Sequence, residues 1–274
     1  MTSVAIITTC KGRLGFLRQT LPAMVATGFP VTVVDYDCPE GTGDFVAANF
    51  PGVNLVRVKD RPLFNHSEAR NIGAANSSSK LLAFIDADVL LKSTFSKFVE
   101  TIDFAGGQFF IGDGAFDDTV VGACIVQRRH FERINGYDEV IVGWGYEDID
   151  LYVRLRVGGL ERRFFPHDAL TPIKHGDDLR VVFTTQKDPG ESYRLNHIYS
   201  RIKIDLEGLT RRQLSVAERQ QIRALAKEAI EFLIKRPTGA VVPLSIPISE
   251  ETVSGGNTPV HFARALTYNL RLVQ

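Results

Sequence analysis

An α/β fold with a mostly parallel sheet, helices on both faces and a helical C-terminal extension is what this 274-residue sequence predicts. Three observations predict it. Short apolar runs alternate with helical patterns through the first two-thirds of the chain. The loops that follow those runs carry carboxylates or basic residues. The tail after residue 205 changes character and contains one well-capped amphipathic helix.

Strands are expected at Val4 to Thr8, Val31 to Asp35, Val53 to Val58 and Leu81 to Asp86, all dense in apolar or β-branched residues. Helical patterns around Leu14 to Ala26, Gly43 to Asn49 and Ser67 to Asn76 lie between them. In such sheets ligands bind beyond the carboxyl ends of the strands. That nominates Thr8 to Arg13, Asp35 to Asp37, Lys59 to Arg61 and Asp86 to Asp88. A helix over Phe95 to Phe104 and a Gly- and Asp-rich stretch from Gly106 to Asp118 come next. A buried strand follows at Val120 to Val126, then a helix over Arg128 to Ile134 closed by Asn135-Gly136. Another helix is expected over Tyr146 to Val157, stopped by Gly158-Gly159. In the tail, Ser215 to Glu218 has the form of a capping box, and Ile222, Leu225, Ala226, Ala229 and Leu233 follow at helical spacing. Residues 240–274 show no period. This organisation predicts one α/β domain over residues 1–205, divided near residue 92, then an extension over 206–274.

Hydrophobic residues make up 44% and charged residues 23% of the chain, which suits a packed globular core. The formal net charge is zero, so no global field recruits nucleic acid or an anionic membrane, and an anionic ligand needs a local site. Cys10, Cys38 and Cys124 are odd in number and widely spaced, which argues against a disulfide framework or a structural zinc site and fits a cytoplasmic location. No leader is expected at the N-terminus, and no run of apolar residues is long enough to span a bilayer. The tail helix mixes Arg219, Arg223, Lys227 and Lys235 with Glu218, Glu228 and Glu231, which disfavours membrane attraction while leaving peripheral association open.

Asp86 and Asp88 sit inside the apolar run Leu82 to Leu91. Burying an unpaired carboxylate costs several kcal/mol, so two of them need a compensating partner. A divalent cation is an economical one, because Mg²⁺ and Mn²⁺ take oxygen ligands from one or two carboxylates and substrate phosphates. A solvated turn capping the helix near Ser93 is the plainer alternative. The segment Gly143-Trp144-Gly145-Tyr146-Glu147-Asp148 is more specific, since it sets the sole tryptophan between glycines directly before acidic residues at a helix start. The helix dipole explains acids in a first turn but not the tryptophan. An exposed indole is a platform for a sugar ring, and a carboxylate beside it is placed to take a proton from a hydroxyl.

Together these segments resemble GT-A glycosyltransferases, in particular the β-1,4-galactosyltransferase and bacterial chondroitin-polymerase group. The residues that carry the likeness are Phe64 to Ser67 with Arg70 to Gly73, Phe84 to Asp88, Gly122 to Cys124, Asn135 to Tyr137, Gly143 to Leu151, and Ile173 to His175. They span roughly residues 4 to 180. The resemblance implies a GT-A, Rossmann-like fold and an inverting, metal-dependent transfer of a galactose- or N-acetylgalactosamine-type hexosyl unit. The donor would be a UDP-sugar and the acceptor a saccharide or glycoconjugate, in bacterial-type polysaccharide synthesis. It further implies Asp88 and His175 as ligands of Mn²⁺ or Mg²⁺, with Asp86 at the ion or the ribose. Asp148 would be the general base and Glu147 an acceptor-binding partner. Thr8, Arg13, Asp35, Phe64, Arg70 and Asp86 would line the nucleotide-sugar site, and Gly143, Trp144, Gly145 and Tyr146 the acceptor site. Two departures stand out. Pro172 occupies the position of a methionine ligand, which puts the choice of Mn²⁺ over Mg²⁺ in question, and Tyr146 replaces a glycine. His167 is the main rival to His175, whereas His66, His130, His197 and His261 are expected at the surface or as caps. A retaining transferase of the same fold, a non-catalytic carbohydrate-binding protein and a nucleotidyltransferase are the competing readings.

Overall fold

The computed structural model describes residues 4–103, 107–253 and 260–273. They fall into two compact units, Met1–Pro189 and Gly190–Gln274.

In the first unit, β1 (Val4–Cys10), α1 (Leu14–Ala26), β2 (Val31–Tyr36), α2 (Thr42–Asn49), β3 (Asn54–Val58), α3 (His66–Ala75) and β4 (Leu81–Phe84) alternate as expected. Their strands pair in parallel, β3-β2-β1-β4. Every residue of β1, β2 and β4 is buried, because helices cover both faces of a parallel sheet. The alternation of side chains then splits the core. Ile6 and Cys10 join one apolar cluster with Leu17, Leu21 and Phe95, while Ile7 joins Phe84, Phe131 and Leu155 in another. The chain runs outward from β1 to β3 and returns to the other side of β1 as β4. The gap between the carboxyl ends of β1 and β4 is therefore the topological switch point where ligands of such sheets bind.

The next elements are β5 (Val89–Leu91), α4 (Ser93–Thr101), β6 (Gln108–Ile111), a 3₁₀ turn at Asp118–Val120, β7 (Cys124–Gln127), α5 (Arg128–Arg133), α6 (Glu147–Val157), β8 (Glu161–Phe164) and β9 (Leu170–Pro172). β7 runs antiparallel to β4 and to β6, and β8 lies parallel to β6 at the sheet edge. The single strand expected over Val120 to Val126 is thus a turn followed by a shorter strand. Gly122 lies in the turn, where an added β-carbon would stand 2.5 Å from Asp86 Oδ2. β6 and β8 lie outside the sequence expectation, the first because it sits inside the Gly- and Asp-rich stretch, the second because Glu161, Arg162 and Arg163 on an exposed edge hide the strand pattern. Phe104, placed in the α4 pattern, lies outside the described residues.

The second unit contains α7 (Pro189–Thr210), α8 (Val216–Ile234) and a hairpin of β10 (Val241–Val253) and β11 (Val260–Arg271). The boundary expected at residue 205 falls inside α7. Its buried face includes Ser192, Asn196, Ser200 and Lys203 among apolar residues, which blurs the helical period that would have marked it. The Ser215–Glu218 capping box forms as expected. Val242, Leu244 and Ile246 of β10 are buried at the ribbon face that meets α8. Among the described residues no helix is long and apolar enough to cross a membrane.

α6 is anchored by a buried ion pair. Arg154 Nε donates to Asp150 Oδ2 at 2.7 Å, and its Nη1 donates to the carbonyls of Ile134 and Gly136 at 2.8 Å each. Asp150 is 0% exposed. Removing one partner of a buried pair leaves an uncompensated charge. Arg154→Met is expected to destabilise the first unit by about 3 kcal/mol or more in urea unfolding, and a loss below about 1 kcal/mol would show that the pair does not anchor the helix.

Candidate active site

Arg70, on the buried side of α3, is 4% exposed and reaches two carboxylates from different parts of the chain. Its Nη2 donates to Asp86 Oδ1 at 2.7 Å and its Nη1 to Glu147 Oε1 at 2.9 Å, while the guanidinium carbon lies 5.2 Å from the Tyr137 ring centroid. Burial works against the cation, yet Asp86, Tyr137 and Glu147 outweigh it and hold its pKa above the ordinary value. Burial likewise opposes the Asp86 anion, and Arg70 more than offsets it, so the Asp86 pKa is lowered. The turn carrying Asp86 is pinned by Thr20, whose hydroxyl donates to the Ala87 carbonyl at 2.7 Å. A β-carbon on Gly122 would stand 2.5 Å from Asp86 Oδ2, so only glycine fits there.

Asp88 meets His175 through a small ribbon. β5 and β9 pair antiparallel with Val89 opposite Pro172, and the Ile173 amide donates to the Asp88 carbonyl at 2.7 Å. The chain then turns so that His175 Nε2 lies 2.8 Å from Asp88 Oδ2, with its Nδ1 2.9 Å from the Gly176 carbonyl. Adjacent donors of one ion, bonded at about 2.1 Å, also lie about 3 Å apart, so this pair fits two neighbouring positions of a Mn²⁺ or Mg²⁺ shell. A carboxylate oxygen with an imidazole nitrogen is a suitable donor set for Mn²⁺. Among the described residues no group of three His, Cys, Asp or Glu side chains converges for metal binding, and Asp86 is turned to Arg70 instead. Phosphate oxygens and water would complete such a shell.

The opposite wall comes from the start of α6. Gly143 and Gly145 have φ of +86° and +88°, and Tyr146 follows at +76°. This left-handed run lifts Trp144 and Gly145 to the cleft and presents Glu147 and Asp148 in the first helical turn. Burial, then the neighbouring Glu147, pushes the Asp148 pKa up to about 7. Its Oδ1 accepts the Ile149 amide at 2.7 Å. Behind it, Asn71 clamps Tyr137, accepting from its amide at 2.9 Å and donating to its carbonyl at 3.0 Å, which ties the Arg70-Asn71 and Asn135-Gly136-Tyr137 segments together.

One cleft at the switch point is lined by Arg13, Phe64, Arg70, Asp86, Asp88, Trp144, Gly145, Glu147 and Asp148, all expected from sequence. Five expected residues do not line it. Thr8 is buried in β1 and its neighbour Thr9 faces the cleft. Asp35 instead holds the loop after β2, its oxygens accepting from the amides of Cys38 at 3.0 Å and Gly43 at 2.9 Å. Gly143 shapes the backbone beside the cleft, and Tyr146 is 5% exposed in the core. His175 touches the cleft through Asp88. His167, its rival, pairs with Asp113 at 3.1 Å and stacks on Phe116. His66 corrects the surface expectation, because it lines the cleft 4.1 Å from the Phe64 ring, and burial lowers its pKa. Thr119, Val121, Gly122 and Arg180 also line it. Gly122 and His66 stood inside the motif strings, whereas Thr119 and Arg180 belong to 3₁₀ turns with no sequence signal.

A family model described as the N-terminal domain of galactosyltransferase matches residues 113–176. β-1,4-Galactosyltransferase 7 of Drosophila melanogaster is 30% identical over 109 residues, which are 37% of this chain and 34% of that protein, so the chain matches about a third of its relative's length. A structure of the Drosophila β-1,4-galactosyltransferase 7, a mutant in complex with manganese, UDP-Gal and xylobiose, superposes with a TM-score of 0.51 at 17% identity, covering 97% of this chain and 94% of that one. GalNAc-T7 with UDP, GalNAc and Mn²⁺ superposes with a TM-score of 0.58 at 13% identity, covering 86% of this chain and 57% of that one. The chain thus has the GT-A fold and resembles β-1,4-galactosyltransferases.

The raised Asp148 pKa has a consequence for stability. An acid whose pKa is higher folded than unfolded binds an extra proton in the native state between the two values. Its contribution is fully present below the ordinary aspartate value of about 3.9 and is lost as pH rises to about 7. Asp148→Asn is therefore expected to gain stability relative to wild type as pH is raised from 5 to 8 in urea titrations. A pH-independent difference would refute the raised pKa.

Proposed function

We propose that this chain is a metal-dependent, inverting glycosyltransferase that moves a galactose- or N-acetylgalactosamine-type hexosyl unit from a UDP-sugar to a hydroxyl of a saccharide or glycoconjugate. Bacterial-type polysaccharide or glycoconjugate synthesis in the cytoplasm is the setting that goes with it. The observation that carries the reading is the pairing, across one cleft, of the Asp88–His175 donor pair with an aspartate whose pKa is raised to about 7. Relatives of the same fold hold manganese, UDP-Gal and a saccharide, or UDP, GalNAc and Mn²⁺.

Asp88 and His175 would hold the ion. Bound there, Mn²⁺ or Mg²⁺ supplies Lewis-acid stabilisation of the departing diphosphate. Arg13 adds positive charge 3.9 Å from Asp88. With Oδ1 of Asp148 occupied by the Ile149 amide, Oδ2 is the oxygen that takes the acceptor proton. The acceptor oxygen bonds to the anomeric carbon as the bond from that carbon to the phosphate oxygen breaks, and UDP leaves with the electron pair. A single base serves one displacement, which inverts the anomeric centre. Trp144 offers an indole face for a sugar ring. Glu147, held by Arg70, raises the Asp148 pKa and so strengthens the base.

Asp148→Asn should lower transfer about 10²- to 10⁴-fold while UDP binding measured by calorimetry stays near wild type. In the wild type, kcat/KM should rise with pH up to about 7 and then level, since only ionised Asp148 accepts the proton. Retained transfer in the variant would remove Asp148 from the base role, and a product with the donor's anomeric configuration by proton NMR would exclude inversion. Separately, Asp88→Ala should abolish the gain in UDP affinity that Mn²⁺ brings. An unchanged gain would displace the metal from Asp88.

A further inference from the structure

Three cationic or ring nitrogen groups border the cleft, and of these only Arg13 has been given a part above, as positive charge beside Asp88. Arg13 Nη1 is buried with no hydrogen-bond partner, while its Nη2 donates to the Leu179 carbonyl at 3.1 Å. His66 Nδ1 is likewise buried without a partner. Arg180, the residue after Leu179, lies with its guanidinium carbon 4.8 Å from the Trp144 ring centroid, and its Nε pairs with Asp177 at 3.2 Å. Asp177 is 73% exposed in its side chain, so that pair is weak. All three groups line the same cleft as Asp86 and Asp88.

From this juxtaposition we infer that Arg180, with Arg13 and His66, forms a metal-independent grip on the diphosphate of the donor, and that Arg180 rests on Trp144 until the anion draws it away. The inference rests on the nucleotide-sugar reading above.

Charge and geometry argue for it. Arg70 already faces two carboxylates, and a divalent ion at Asp88 and His175 would still face a leaving diphosphate of about three negative charges. Arg13 and Arg180 are the further cations that line the cleft among the described residues. Arg13 and Arg180 are like charges lining one cleft, and an anion between the guanidiniums would relieve the repulsion between them. Guanidinium forks match the paired oxygens of phosphates, and an orphaned buried N–H gains most from an acceptor. The hydrogen bond from Arg13 to the Leu179 carbonyl fixes the backbone next to Arg180, so a side-chain rotation is enough to bring the second guanidinium in.

Trp144 is the sole tryptophan of the chain, so its fluorescence reports directly on Arg180. UDP and inorganic pyrophosphate are titrated into wild type, Arg180→Ala and Arg180→Lys, each in EDTA and in Mn²⁺, with calorimetry and tryptophan emission as readouts and thermal melting as the folding control. Wild type should bind both ligands in EDTA with a change in emission. Arg180→Ala should weaken that binding about tenfold and lose the emission change, Arg180→Lys should recover part of the affinity, and both should keep the gain from Mn²⁺. Wild-type affinity in folded Arg180→Ala would overturn the grip while leaving the transferase reading intact. Absence of UDP binding to wild type with and without Mn²⁺ would overturn both.

Discussion

The bridge that Arg70 makes between Asp86 and Glu147 is the constraint on which the site depends. One carboxylate closes β4 and the other opens α6, so a single buried guanidinium sets the distance between the wall that fits a metal and the wall that carries the base. Two acids held near each other without it would drive one to protonate. With it, the charge that remains unbalanced falls on Asp148, the neighbour that Arg70 does not bond. Burial and Glu147 raise its pKa, while Asp86 is kept ionised by the same arginine. One cation therefore separates two nearby aspartates into an anion for binding and a base near neutrality.

The second constraint is covalent distance along the chain. Asp88 and His175 are far apart in sequence and become neighbours because β5 and β9 pair immediately after the one and before the other. Pro172 fits this ribbon, since a short two-stranded pairing tolerates a residue without an amide hydrogen. Its side chain offers no metal donor. A shell with two protein side chains relies more on the substrate's phosphates than one with three, which ties metal retention to nucleotide occupancy.

Much of this was legible in the sequence because the information is local. Parallel strands buried on both faces read as continuous apolar runs, and two of the four loops at their ends, those after β1 and β4, line the cleft. The Trp144 string announced a helix start with acids in its first turn, and α6 begins there. What was not legible depends on contacts between distant segments. His66 reads as a polar residue in a cap, and only the fold puts it in one cleft with Asp86 and Glu147. Asp35 reads as a strand-end carboxylate open to a ligand, yet backbone amides three and eight residues on take its oxygens. Thr8 and Thr9 differ by one position in a strand whose both faces are buried, where periodicity cannot tell which side faces the ligand. Arg180 sits in a short turn whose placement is set by Arg13, far away in sequence.

Tyr146 shows how local cost and function are coupled. A left-handed φ of +76° suits glycine and costs a bulky residue about 1–3 kcal/mol. The ring is 5% exposed, and burying an aromatic side chain returns a similar amount, about 1.5–3 kcal/mol, so the strain can be sustained without a glycine. The Tyr146 carbonyl also accepts the Asp150 amide at 2.9 Å, making the strained residue the cap from which α6 begins. Because Asp150 is in turn locked to Arg154, the direction of the first turn is fixed at both ends. Glu147 and Asp148 thereby face the cleft before any ligand arrives, and a glycine at 146 would relieve the strain only by giving up the core packing that holds them there.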